Sequence, residues 1–176
     1  MLAAHAKARI LVIGQAPGSR VHESGVPWDD PSGDRLRDWL GVDRSTFYDE
    51  QQIALVPMGF CYPGKGRSGD LPPRPECAPL WHAPLLAHMP AVTLVVILSQ
   101  YALDAYLGDT QKATLTDTVR AFRDYGPRHL PLPHPSPRNN IWLAKNPWFL
   151  RDVIPELRRR VAAALAAAHA ARRRDS

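Results

Sequence analysis

Apolar positions in this chain gather into short unbroken runs, separated by longer periodic or polar stretches. Residues 9–14, 53–56 and 92–98 are continuous apolar runs rich in β-branched side chains, and 129–132 is a shorter one. A run that is apolar on both sides of the pleat suits a strand covered on both faces, so each predicts a buried parallel strand. Helical spacing recurs between them. Residues 34–40 show it and stop at Gly41, residues 76–88 carry Trp81, and residues 100–107 close at Gly108. A further helix is expected over 115–124. Pro147-Trp148-Phe149 opens a last helical region, and 155–174 reads as an alanine-rich helix with Arg at both ends. Two stretches have no period at all, 15–33 and 57–75. Both are dense in Gly, Pro and charge, and long loops of this kind in a compact domain usually carry function.

Strands that alternate with helices predict a three-layer α/β/α sandwich around a short, mainly parallel sheet of about four strands. Ligand sites in such sheets lie beyond the carboxyl ends of the strands. Three irregular loops fall there: those after the first and second strands, and the one after residue 132. No internal repeat or linker divides the chain, so residues 1–176 are read as one domain.

Composition adds a modest bias. Lys and Arg number 22 against 17 Asp and Glu, giving a formal net charge of +5, which favours polyanionic partners such as nucleic acid. Part of that charge sits in two Arg triplets, 158–160 and 172–174, which read as a solvated helix and tail. Cys61 and Cys77 are too few for a disulfide framework or a four-thiolate cluster. A reduced, cytoplasmic setting is expected, with no metal and no cofactor. The first nine residues lack the apolar stretch of a signal peptide, and no segment has the length of a membrane span.

Two motifs carry the chemistry. Gly14-Gln15-Ala16-Pro17-Gly18 follows the first strand, and His134-Pro135-Ser136-Pro137 follows the last. Their pairing resembles the uracil-DNA glycosylase superfamily over nearly the whole chain. Ser24-Gly25-Val26-Pro27-Trp28 resembles the segment whose aromatic residue stacks on the flipped base. Cys61-Tyr62-Pro63-Gly64 and Cys77 resemble the thermophile-type, iron–sulfur branch, although the N-terminal pair of cluster cysteines is missing. The resemblance implies a monofunctional glycosylase that hydrolyses the N-glycosidic bond of uracil in DNA, with uracil-containing DNA as partner. A monomer is expected.

The residue types suit that reaction. A base inside a duplex is out of reach, so it must be flipped into a pocket. Pro17, Ser136 and Pro137 suit close approach to the flanking phosphates, and Arg138 stands where some members place an apolar wedge. Trp28 is the candidate stacking plate. By resemblance His134 donates to the departing uracil, with Gln15 and Ala16 adding backbone N–H groups. The sugar cation needs a carboxylate or polar group that also places a water. Here the chain departs from the best-known branch, which has its Asp where Ala16 stands. The iron–sulfur branch has an acid where Gln15 stands. Asp30, two residues after Trp28, is the candidate instead, with Asp29 and Glu23 as substitutes. The base-reading Asn of the resembling branch is replaced by Pro57. Recognition then passes to backbone around Met58, Gly59 and Phe60, or to Asn139 or Asn140, and other deaminated bases could enter.

Plainer roles stay open for several of these residues. Asp29-Asp30-Pro31-Ser32-Gly33 also reads as a turn and helix cap. Trp28 also reads as a core cap beneath its loop. Lys65, Arg67 and Arg74 also read as a solvated loop. A non-catalytic uracil-DNA binder on the same fold is a second functional reading. A small-molecule α/β hydrolase or nucleotidase is a third, but it would need a nucleophile elbow, P-loop or metal-ligand cluster that the sequence lacks.

Overall fold

The computed structural model describes residues 1–67 and 69–172, with side chains through residue 167. Strands β1 (Ile10–Ile13), β2 (Ile53–Leu55), β5 (Leu94–Leu98) and β6 (His129–Leu132) form one sheet, and a hairpin of β3 (Lys65–Gly66) and β4 (Gly69–Asp70) lies apart from it. The sheet order is β2-β1-β5-β6, and every pairing is parallel.

The strands are apolar throughout because both faces are covered. Side chains alternate across a pleat, so each strand feeds two cores. Ile10, Val12, Leu55 and Val96 point to one face, where they meet Leu36, Trp39, Phe149 and Leu157. Those partners come from α2 (Pro31–Leu40), the π-turn Phe149–Val153 and the long helix at the end of the chain. Leu11, Ile13, Ala54 and Ile97 point to the other face, where they meet Ala78, Met89, Ala102 and Leu103. Two layers of helix therefore enclose the sheet, as the sequence pattern predicts.

The long stretches without period are less irregular than expected. Residues 15–33 contain a six-residue helix, α1 (Ser19–Ser24), closed by Gly25 in the left-handed region. Helix α2 starts at Pro31, three residues before the periodic pattern, because Asp30 caps it and Pro31 fills its first turn. A short α3 (Arg44–Phe47) precedes β2. Residues 57–75 hold the β3–β4 hairpin, whose two-residue strands are too short to show alternation. Helices α4 (Cys77–Ala87) and α5 (Gln100–Leu107) lie where the spacing places them. The helix expected over 115–124 divides into α6 (Leu115–Arg120) and a 3-10 turn over Phe122–Tyr125. A further short helix, α7 (Asn140–Lys145), follows the His134 loop, and α8 (Ile154–Arg172) ends the described chain. Residues 173 and 174 of the expected helix fall outside the described residues.

The first Arg triplet is structural. Arg158 donates to the Asp38 carbonyl, and Arg160 reaches the Gly126 carbonyl. Arg159 and Arg160 both bind Glu156, whose carboxyl is held at about 2, chiefly by the Arg159 hydrogen bond. Charge read as solvated thus ties α8 to its neighbours. Among the described residues no helix is long and apolar enough to cross a membrane.

Candidate active site

Beyond the carboxyl ends of β1, β2 and β6 lies a cavity of about 470 Å³. Its walls come from the Gly14–Gly18 loop, from Trp28 and Asp30, from Pro57, from Asp70 and Leu71 beside the hairpin, and from the His134 loop. These three strand ends are neighbours only because β1 sits between β2 and β5, with β6 beyond.

One wall is an aromatic pair. The Trp28 indole and the His134 imidazole lie 5.6 Å apart between centroids and 26° from parallel. Trp28 adopts φ +59, a conformation that a bulky residue rarely takes. Its surroundings enforce it. The Trp28 carbonyl packs so closely on Gly33 that a Cβ there would lie 1.7 Å from its oxygen. A Cβ on Gly14 would lie 2.8 Å from the indole Cζ2. Buried Arg37 donates to the Trp28 carbonyl (3.3 Å) and to Asp34 (2.5 Å), and its guanidinium stacks over Phe47. The Tyr48 hydroxyl donates to the Pro27 carbonyl at 2.9 Å. Helix α2 thus supplies Gly33 and Arg37 to the clamp on Trp28, and Gly14 after β1 and Tyr48 after α3 complete it.

The His134 loop is held as closely. The Ser136 N–H donates to His134 Nδ1 at 3.2 Å, and Asn139 Nδ2 donates to the His134 carbonyl at 2.7 Å. Arg35, also on α2, donates to the Ser136 carbonyl (3.1 Å) and to Asn140 Oδ1 (2.8 Å). Burial pushes the His134 pKa down, against a weaker upward pull from the Asp30 charge. The imidazole is therefore neutral near pH 7. Because Nδ1 accepts a backbone N–H, the hydrogen-bond network assigns the proton to Nε2.

Asp30 caps α2, with Oδ1 accepting from the Gly33 N–H at 2.8 Å, and it also lines the cavity. Its other carboxylate oxygen has no partner among the described residues. Gln15 and Ala16 line the cavity, and the Gln15 side chain makes no hydrogen bond there. Pro17 is buried in the wall. Ser136 and Arg138 line the mouth, and Pro137 is exposed just outside it. Asp29 pairs with Arg44 at 2.9 Å and Glu23 is exposed on α1, so neither substitute faces the cavity.

The base-reading loop after β2 differs from expectation. The Met58 and Gly59 N–H groups donate to the Gly14 and Gln15 carbonyls, each at 2.9 Å, so neither is left for a base. The Phe60 carbonyl accepts from the Met1 amino group. The Phe60 ring lies outside the cavity against His82, with centroids 6.0 Å apart. Buried His82 explains this arrangement. Its Nε2–H donates to the Pro57 carbonyl (3.0 Å), and Nδ1 meets the Tyr106 hydroxyl at 2.7 Å. Burial pushes His82 down and Tyr106 up to about 12, so the pair stays neutral. Pro57 keeps its place in the cavity wall but gives no side-chain donor.

Sequence reasoning missed Arg35, Arg37, Tyr48, His82 and Asp70. The polar stripe on α2 was the available signal for the first two; nothing local marks the rest. Cys61 is exposed and Cys77 half-buried, both as free thiols. Among the described residues no three His, Cys, Asp or Glu come together as a metal would require. In comparison with known families, the model of the uracil DNA glycosylase superfamily matches residues 3–158.

Proposed function

This chain belongs to the uracil DNA glycosylase superfamily, and from that premise we propose that it hydrolyses the N-glycosidic bond of uracil in DNA without lyase activity. The observation that carries this reading is His134, a neutral imidazole with its proton on Nε2, packed against Trp28 in a cavity at the strand ends.

The roles follow from charge development. As the C1′–N1 bond lengthens, the electron pair moves onto the base. A neutral Nε2–H aimed at the base O2 stabilises that charge and does not itself have to lose a proton. Its worth depends on being fixed beforehand, and the Ser136 N–H, Asn139 and Arg35 fix it. The Ala16 N–H supplements it. Trp28 is the plate for the flipped base, contributing about 1–3 kcal/mol by stacking. Gln15 is the base reader as well as a holder of water. Uracil offers a donor at N3 and an acceptor at O4, and a carboxamide offers the complement of both. Asn139 adds an acceptor, since its Nδ2 is engaged. Asp30 supplies negative charge on the cavity wall through its uncommitted oxygen. Pro17, Ser136, Pro137 and Arg138 lie where the flanking phosphates would pass. A single-copy, cytoplasmic protein without metal completes the reading.

Hydrolysis is tested with a uracil-containing oligonucleotide, single- and double-stranded. Strand cleavage after alkali reports base release by the wild type, and His134→Ala lowers it. A retained complex with no product would identify a uracil-DNA binder instead. Neither release nor binding would overturn the reading.

A further inference from the structure

Two carboxylates line the cavity among the described residues, Asp30 and Asp70. Their situations differ. Asp30 spends Oδ1 on the cap of α2, and its charge acts on His134. That places it toward the departing base, where a fixed negative charge opposes the charge that develops on leaving.

Asp70 stands elsewhere. It ends β4, and its Oδ2 lies 3.9 Å from the point that a Cβ on Gly18 would occupy. The carboxylate therefore lies over the Gly14–Gly18 loop, in the wall of the same cavity. Oδ1 receives only a long hydrogen bond, 3.4 Å, from the Tyr62 hydroxyl, and Oδ2 has no partner among the described residues. From the His134 loop the Arg138 side chain comes close to the hairpin: its Nη1 lies 2.9 Å from the point that a Cβ on Gly69 would occupy. Asp70 thus stands in the cavity wall with only the Tyr62 contact, and its carboxylate stays available to solvent.

We propose that Asp70, on the β3–β4 hairpin, is the general base that takes the proton from the attacking water. The inference rests on the glycosylase reading and supplies the acid that neither Gln15 nor Ala16 provides. The C1′–N1 bond breaks with its electron pair going to the base, which His134 stabilises. The water oxygen bonds to C1′, and its proton passes to Asp70. The products are an abasic 1′-hydroxyl sugar and the base anion, which regains a proton as Asp70 returns to its carboxylate. No other reactant is needed. Two walls divide the work: Trp28 and His134 hold the leaving group, and the hairpin brings the base to the sugar.

The test is single-turnover release of uracil from a fluorescein-labelled oligonucleotide by the full chain, as wild type, Asp70→Asn, Asp70→Glu and Asp30→Asn. Binding is followed by anisotropy, and the rate across pH 5 to 9. The groups around Asp70 that titrate or carry charge are Tyr62, Lys65 across the hairpin, Arg138, and within the cavity Asp30 and His134. The difference between wild type and Asp70→Asn isolates Asp70 from these. Asp70→Asn is expected to lose about a hundredfold or more in rate, to bind as before, and to lose its share of the acid limb of the pH profile. Asp70→Glu should recover part of the rate, and Asp30→Asn should lose less than Asp70→Asn. A loss below about tenfold in Asp70→Asn, or a slowed enzyme with the wild-type pH profile, overturns the proposal and leaves the glycosylase reading standing. A wild type that releases no base overturns both.

Discussion

The cavity has two unlike sides. The Trp28–His134 side is braced from behind: the Trp28 carbonyl packs against Gly33, and Arg37, Tyr48, Arg35 and Asn139 each donate to a backbone carbonyl. The hairpin side has two-residue strands, an exposed Asp70 and a 3.4 Å contact from Tyr62. The difference follows the chemistry. A donor to a developing charge works by being fixed in advance, since any reorganisation is subtracted from its effect. A base that takes a proton from water needs an available lone pair and access to solvent. The braced side also rests on α2 and the main core, whereas the hairpin lies outside the sheet.

The comparison breaks most sharply at His134. His134→Ala should lower single-turnover release by about 10²–10³-fold, the usual cost of one lost oxyanion donor, with a much smaller change in DNA affinity by anisotropy. Gly33→Ala comes next. Its Cβ has no room beside the Trp28 carbonyl, so the loop must move. We expect a stability loss of about 3 kcal/mol, read by urea unfolding, and an inactive pocket. Gly69→Ala meets the end of the flexible Arg138 side chain and a backbone at φ +142 that favours glycine, but no backbone atom at bonding distance, so it should lose less than Gly33→Ala, and an equal loss would erase the contrast.

Arg35→Ala probes bracing without touching the substrate. It frees the Ser136 carbonyl and Asn140. The rate of the chemical step should fall about tenfold, near 1.4 kcal/mol, with affinity nearly unchanged. Arg35→Lys should not restore it, because an ammonium lacks the two-pronged fork. Equal losses in rate and affinity would mean that Arg35 acts on DNA directly.

The smallest effect concerns pH. His82, His129 and His134 all titrate below their ordinary value, each chiefly through burial. In the unfolded chain they bind protons near pH 6.5, while the folded protein resists protonation. Stability from this source is therefore complete above about pH 6.5 and declines as pH falls through the folded-state values. Melting temperature should drop between pH 7 and pH 5, and less steeply in His134→Ala. A flat profile would show that these imidazoles are not shielded.

Much of the frame was readable from local pattern. Four apolar runs gave the parallel strands, because a strand covered on both faces must be apolar at every position. The two motifs lay at the ends of the first and last strands, so their convergence followed from topology rules. Residues 57–75 gave no such signal: two-residue strands cannot display a period, and the hairpin and Asp70 went unrecognised. Asp30 shows a different limit. Its sequence context suits a cap and a cavity carboxylate equally, and in the structure it takes both positions. Phe60 belongs to the expected reading loop, yet its ring turns to His82, a residue 22 positions later.

By itself the sequence determined the sheet, the loops that meet at its edge, and the residue types available there, because runs, periods and motifs are properties of neighbours along the chain. The tertiary structure decided how those residues are used. The Nε2–H form of His134, the clamp from Arg35 to a carbonyl 101 residues away, the spent N–H groups after β2 and the place of Asp70 over Gly18 all depend on distances between remote segments. Burial and hydrogen bonding set protonation and availability, and neither exists until the chain has packed.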